Sequence, residues 1–365
     1  MFDKLKGIEK EREEKERENN IAYLIGFGES IIEHQYLTLK EREPPALMFN
    51  EIPKEIYNTI YRTAKAELPD FTGKDIEQFI RKADTKQDKA RSKLLGMYSG
   101  CLLQILTERN REKKERTRLY FNGQGKHFSY LFSFTDKFDE LIVDGFKGEN
   151  ICSNMRCGNK KGILVGLNLE GDRLMHHNGE EDCISMIIAK NIKGKDYSVG
   201  ANGREGEIGL ILAQNISGKG PFIYTAVTGG KAGFVFAENI TGNGFMQFSG
   251  VDEGKIDLIY ARNISGKRPL YRAGTSEFQD DVDYDAGDIG IILYDNITGN
   301  RLYDVNAKTK MSSRNKKFPK LVSDYKIRQF FKLITPIDKV SVEGKFAILD
   351  QVKALYESIR HKARK

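Results

Sequence analysis

The stretch Gly209–Gly220 reads GLILAQNISGKG. An aliphatic run ends at Asn215, a single Ile follows, then a small polar residue and Gly. The same words recur along the chain, anchored at Asn191 (KNIKG), Asn215 (QNISG), Asn239 (ENITG), Asn263 (RNISG) and Asn296 (DNITG). The spacings are 24, 24, 24 and 33 residues. Looser copies run backwards through Asn168 (LNLEG) and Asp144 (VDGFKG) to Asn122 (FNGQG). A fixed period of this length marks a repeat architecture rather than a set of independent elements.

Each anchor is preceded by a short apolar run (ISMIIA, IGLILA, AGFVFA, IDLIYA, IGIILY) rich in β-branched or aromatic residues, the signature of a strand. A second strand-like stretch follows, as in PFIYTAV and GFMQFSG. Strand, turn, strand, turn, repeated one layer up, predicts an all-β parallel solenoid. Seven or eight coils of about 24 residues are expected between residues 118 and 305. With a rise of roughly 4.8 Å per layer, eight layers make a rod of about 35 Å. A single coil cannot bury its own apolar face, so only the stack is stable.

Asn tolerates the left-handed backbone that a sharp turn needs. Stacked coils would set one Asn above another with the amides hydrogen-bonded along the rod. The Ile after each Asn would return inward as a ladder of Ile192, Ile216, Ile240, Ile264 and Ile297. Counting back from the Asn by twos, Leu212, Leu210 and Ile208 are expected to face inward. The fourth position back, Ile187, Ile211, Val235, Ile259 and Ile292, would then form an aliphatic strip on the outside of the rod. A strand that is apolar on both faces is covered on both. The terminal helices, a second copy of the chain, or another protein are the possible covers.

An aliphatic strand followed by Asn-Ile-Thr/Ser-Gly at this spacing resembles the right-handed parallel β-helix of the pectin-lyase-like superfamily. The resemblance covers about half of the chain and lies at the level of the fold. Many members of that superfamily cleave polysaccharides, which would make Asp280, Asp281, Asp283 and Asp285 the carboxylates to test. The chain departs from such enzymes in having no tryptophan to stack sugars.

The flanks differ in character. Residues 1–117 are expected to be a charged tail and a helical region, with helices at 54–68, 74–84 and 89–110 by their three- and four-residue apolar spacing. Residues 306–365 are expected to be a basic linker followed by helices near 322–334 and 345–363. The opening, MFDKLKGIEKEREEKERENN, lacks the apolar core of a signal peptide, and no run of about 18 apolar residues occurs, which predicts a cytoplasmic protein without a membrane span.

Candidate chemistry is sparse. The insertion EFQDDVDYDAGD (277–288) alternates Asp281, Asp283 and Asp285, hard oxygen ligands suited to calcium, although a solvated acidic loop reads the same way. Cys152, Cys157, His176, His177 and Cys183 fall on adjacent turns and could converge on zinc, or be buried core residues. No cofactor is expected. Two basic stretches flank the rod: ERNREKKERTR (108–118), and 308–320 with Lys308, Lys310, Arg314, Lys316, Lys317 and Lys320. Either could meet phosphates. The expected function is that of a scaffold acting by protein–protein contact or self-association through the outer strip. A nucleic-acid-associated protein and a carbohydrate-active enzyme are the alternatives.

Overall fold

The computed structural model describes residues 2–42, 54–83, 85, 88–158, 162–176, 178, 183–196, 206–219, 225–226, 229–246, 249–250, 253–267, 269–270, 273, 287–298 and 307–362. Among the described residues, nine strands lie in one sheet, in chain order: β1 (Arg118–Asn122), β2 (Glu140–Asp144), β3 (Gly162–Leu167), β4 (Cys183–Asp196), β5 (Glu207–Lys219), β6 (Lys231–Thr241), β7 (Lys255–Ser265), β8 (Asp288–Thr298) and β9 (Thr309–Ser312). Each strand pairs in parallel with the next. Parallel neighbours that follow one another in sequence require the chain to return once per layer, which makes a solenoid.

The full coil strand is built about five times, in β4 to β8, rather than seven or eight. In the first two layers Gly123 and Gly145 follow the anchor directly, and the strand stops there. Beyond β1 to β3 the pairing shrinks to the bridges His127–Lys147, Lys147–Glu170 and Glu170–Lys193. The segment read as a basic linker supplies β9, the last strand of the sheet.

The repeated Asn works as its chemistry suggests. Asn168, Asn191, Asn215, Asn239, Asn263 and Asn296 all have positive φ, between 49° and 58°. The amide Nδ2 of each donates to the oxygen of the layer below. Asn215 donates to Asn191 at 3.0 Å, Asn239 to Asn215 at 3.0 Å and Asn263 to Asn239 at 2.9 Å. At the foot, Asn168 donates to the Asp144 carboxylate at 2.8 Å. A row that donates downward must end on an acceptor, and a carboxylate is the stronger one. The ladder faces solvent along Asn215, Asn239 and Asn263, not the interior. Asn239→Ala is expected to lower stability by about 1–2 kcal/mol, from left-handed strain and two lost hydrogen bonds. Asn239→Gly should cost less, because only the hydrogen bonds are lost. Urea denaturation of the pair measures the difference.

Ile192, Ile216, Ile240 and Ile264 are buried in the interior as expected, and Ile297 packs against the same core at partial burial. The outer strip requires correction. Ile187, Ile211, Val235, Ile259 and Ile292 are at most 2% exposed and pack inside the coil with those isoleucines. Leu210, Leu212, Phe234, Phe236, Leu258, Tyr260 and Leu293 form the opposite face. The left-handed residue at Asn is the cause. It turns the corner and shifts the in–out alternation by one residue, so even positions before the Asn point inward although the residue after it does too. Ile208, at the seventh position, is inward again because the ladder is interrupted at Gly209: its register passes from Ile184–Ile208 to Met186–Leu210.

Among the described residues, four helices precede the rod: α1 (Phe2–Arg42), α2 (Lys54–Glu67), α3 (Gly73–Lys82) and α4 (Lys89–Glu112). α3 starts with a capping box between Thr72 and Asp75. α4 lies against the first coil, where Gly100 lets the helix approach closely: a Cβ there would stand 2.7 Å from the Ser133 carbonyl oxygen. The Phe132 amide donates to Ser99 Oγ at 2.9 Å. The helices thus cover the end of the stack, where a bare layer would expose unpaired edges.

Glu108 of α4 ties this cap to the rod. It accepts from Lys137 (2.6 Å), Lys65 (2.6 Å), Tyr61 (2.5 Å) and Gln104 (3.2 Å). Burial alone would raise its pKa, but the donors outweigh it, first Lys137 and then Lys65, and pull the carboxyl down to about 2. A depressed carboxylate contributes stability that is present above its unfolded pKa and is lost as pH falls through the folded value. The urea midpoint is therefore expected to drop between pH 4.5 and pH 2. Glu108→Gln should start lower at pH 7 and show a shallower drop.

Among the described residues, three α-helices follow the rod, α5 (Phe318–Asp324), α6 (Ile327–Ile334) and α7 (Val342–Glu357), and then a short 3-10 turn at Arg360–Lys362. The single helix expected over 322–334 is split in two, because Lys326 adopts a left-handed φ of 52°. These helices cover the outward sheet face. Phe330 sits 5.4 Å from Phe236, and Tyr356 sits 6.0 Å from Phe234, ring centre to ring centre. Gly209 makes room: a Cβ there would stand 2.5 Å from Tyr356 Oη. A polar seam closes the edge. Lys190 pairs with Asp338 and donates to the Thr335 carbonyl, and Gln214 reaches Thr335 Oγ1 at 3.3 Å. No described helix is long and apolar enough to cross a membrane.

Candidate functional site

Past each inward Ile the chain offers one outward residue and then a Gly. Stacking brings Lys147, Glu170, Lys193 and Ser217 into one exposed row. Beside it runs a column of glycines: Gly148, Gly171, Gly194, Gly218, Gly242 and Gly266. Gly148, Gly171, Gly242 and Gly266 have φ between 137° and 152°, which side chains rarely adopt. A Cβ on Gly171 would fall on the Gly148 carbonyl oxygen, and one on Gly242 on that of Gly218. Close approach lets Gly171 N donate to Lys193 O at 2.8 Å and Gly242 N to Ser265 O at 2.8 Å. The column is thus free of side chains for a reason of fit.

Over the first five layers this column floors an open groove of about 710 Å³. His127 and Ser129 stand at one end and Ser217 at the other. Lys147 and Glu170 bridge adjacent layers at 3.0 Å, both more than half exposed, and this contact holds the Glu170 carboxyl below its usual range. Such an exposed pair adds little stability. The rim carries charge of both signs, while the floor amides are engaged between coils. The groove can therefore hold an extended ligand by shape and by its rim. Its titratable lining consists of His127, Lys147, Glu149, Glu170, Asp172 and Lys193.

The residues singled out in the sequence fall elsewhere. The strip residues Ile187, Ile211, Val235, Ile259 and Ile292 are in the core and line no surface. Asp281, Asp283 and Asp285, together with Asp280, lie outside the described residues; Asp288 pairs with Lys308 at 2.8 Å. Cys152 and Cys157 are buried, Cys183 is exposed, and the Cys157 thiol donates to the Cys183 carbonyl. Burial pushes the Cys152 thiol up. His177 is outside the described residues. Among the described residues no group of three or more His, Cys, Asp or Glu is placed to hold a metal ion.

The two basic stretches differ in their arginines, while Lys113 and Lys114 of the first are exposed. In 108–118, Arg109 pairs with Asp70 (3.4 Å), Arg111 with Asp139 (2.8 Å), Arg116 with Glu140 (2.8 Å) and Arg118 with both Glu140 (2.5 Å) and Asp350. In 308–320, Lys308 is paired and Lys310 lies in β9, but Arg314, Lys316, Lys317 and Lys320 are exposed. The groove itself was hidden in the sequence, although the repeated Gly after each Asn-Ile-Ser/Thr marks its floor. Comparison with known proteins gives no match to a family model, a curated protein or a solved structure.

Proposed function

We propose that the chain is a β-solenoid scaffold acting by protein–protein contact, with the groove from His127 to Gly218 receiving an extended segment of a partner. The observation that supports this is the continuity of the groove across five layers with a floor free of side chains. Four layer spacings, about 19 Å, match about six residues of extended chain. Solenoids commonly present such elongated surfaces to their partners. Self-association through the aliphatic strip is not part of the proposal, because those residues are core. A carbohydrate-active role, which the resemblance to pectin-lyase-like proteins would imply, is not part of the proposal, because the carboxylates it named, Asp280, Asp281, Asp283 and Asp285, lie outside the described residues.

A photo-reactive residue placed at Ser217, with a second at Lys267 as a control outside the groove, tests the proposal in the source cell. A discrete covalent adduct at Ser217 is expected, absent at Lys267 and lost when Lys147→Glu and Lys193→Glu reverse the rim charge. An adduct of twice the chain mass would identify the partner as a second copy. No adduct at Ser217, or one indifferent to the rim charges, would contradict the proposal.

A further inference from the structure

We propose that the turn joining β9 to α5 is a docking surface for the phosphate backbone of a nucleic acid. The turn spans Ser312 to Lys317 and is pinned at both ends by side chains only 7% exposed, Met311 before it and Phe318 after it. Hydrogen bonds fix its path: Ser313 N to Tyr294 O at 2.9 Å, Asn315 N to Ser312 O at 2.9 Å, and Lys317 N to Asn315 Oδ1 at 2.9 Å. Arg314, Lys316 and Lys317 are therefore held together on a rigid support, with Lys320 one helical turn further on.

Like charges held this close repel one another, and a fold relieves that repulsion with carboxylates when it uses the charges itself. This chain does so for the four arginines of 108–118, where Arg109, Arg111, Arg116 and Arg118 each have an acidic partner, and the exposed Lys113 and Lys114 of that stretch are flanked in sequence by Glu112 and Glu115. Among the described residues, Arg314, Lys316, Lys317 and Lys320 have none. The charge of the whole chain is distributed the same way. Residues 306–365 hold sixteen basic and five acidic side chains, so residues 1–305 are net acidic although the chain is +7. Four of those sixteen basic residues are Arg314, Lys316, Lys317 and Lys320.

The neighbouring chemistry suits phosphate. Ser312, Ser313 and Asn315 lie among the cations, and such hydroxyl and amide groups share phosphate contacts with Arg and Lys in nucleic-acid complexes. A lipid surface fits less well, since stable anchoring needs an apolar insertion beside the basic patch. The large apolar side chains that stand exposed among the described residues are Tyr23, Leu37 and Val342, none of them on this turn. Nothing in the turn reads base edges, so the expected binding is insensitive to sequence and set by counterion release.

Fluorescence anisotropy with a labelled 20-bp DNA duplex and a labelled 20-nucleotide RNA, over a salt series, is the test. The wild type should bind both at 50 mM salt and weaken steeply as salt rises. The variant Arg314→Gln/Lys316→Gln/Lys317→Gln/Lys320→Gln should melt like the wild type, since all four side chains are exposed, and should bind at least tenfold more weakly. Its slope of log K against log salt on the duplex should be shallower by about 3 to 4, close to 0.9 per lost phosphate contact. Unchanged affinity in this variant would overturn the proposal. So would a wild type that ignores both nucleic acids, including one that instead binds phosphatidylserine vesicles.

Discussion

Gly242→Ala is expected to be among the most damaging single changes in the chain, at roughly 4 kcal/mol, from a strained backbone combined with overpacking. At φ 148° an L side chain is disfavoured whatever the space around it. There is also no space: the new methyl would fall on the Gly218 carbonyl oxygen one layer below. Relief would require two coils to separate, breaking the hydrogen bond from Gly242 N to Ser265 O in the layer above or the pairing below. Gly26→Ala is the matched control. Gly26 lies inside α1 with nothing near its missing Cβ, and Ala there should stabilise by about 0.5–1 kcal/mol. Urea denaturation of the two variants should move in opposite directions.

Ile211→Asp is expected to cost a comparable amount, on the order of 3–5 kcal/mol, because it buries a carboxylate with no partner. Ile211 is fully buried and stacks between Ile187 and Val235 in register. Ile211→Val should cost about 0.5–1.5 kcal/mol, the loss of one methylene. Leu37→Asp, at a side chain 49% exposed, should fall within about 0.5 kcal/mol of the wild type. If Ile211 stood on an outer strip facing a partner, the Asp variant would lose the partner and keep its fold. With Ile211 in the interior, the fold is what fails.

The repeat was legible because it is local: a strand, an Asn and a Gly recur within a dozen residues and name their own conformations. The Asn ladder followed from that, and so did the helical character of 54–67, 73–82 and 89–112. The in–out assignment was not legible by counting, because one left-handed residue at the corner inverts the alternation for the strand before it. The split between α5 and α6 turns on the single conformation of Lys326, which no composition signal announces. Contacts that close the molecule were out of reach for another reason. Lys190 and Asp338 are 148 residues apart, and each looks like an ordinary surface charge in its own neighbourhood. The groove combines residues from five layers, so it exists only after the coils are stacked in register. The contrast between the two basic stretches likewise depends on which carboxylates the fold brings to Arg109, Arg111, Arg116 and Arg118.

The central claim is that the outward face of the repeat strands is covered by the chain's own C-terminal helices. A double-mutant cycle between Phe236 of β6 and Phe330 of α6 tests it most directly, using urea denaturation of Phe236→Ala, Phe330→Ala and the double variant. Rings 5.4 Å apart and fully buried should be coupled by about 0.5–1.5 kcal/mol, with the double variant losing less than the sum of the singles. Strict additivity, within about 0.3 kcal/mol, would place the two rings apart and contradict the account.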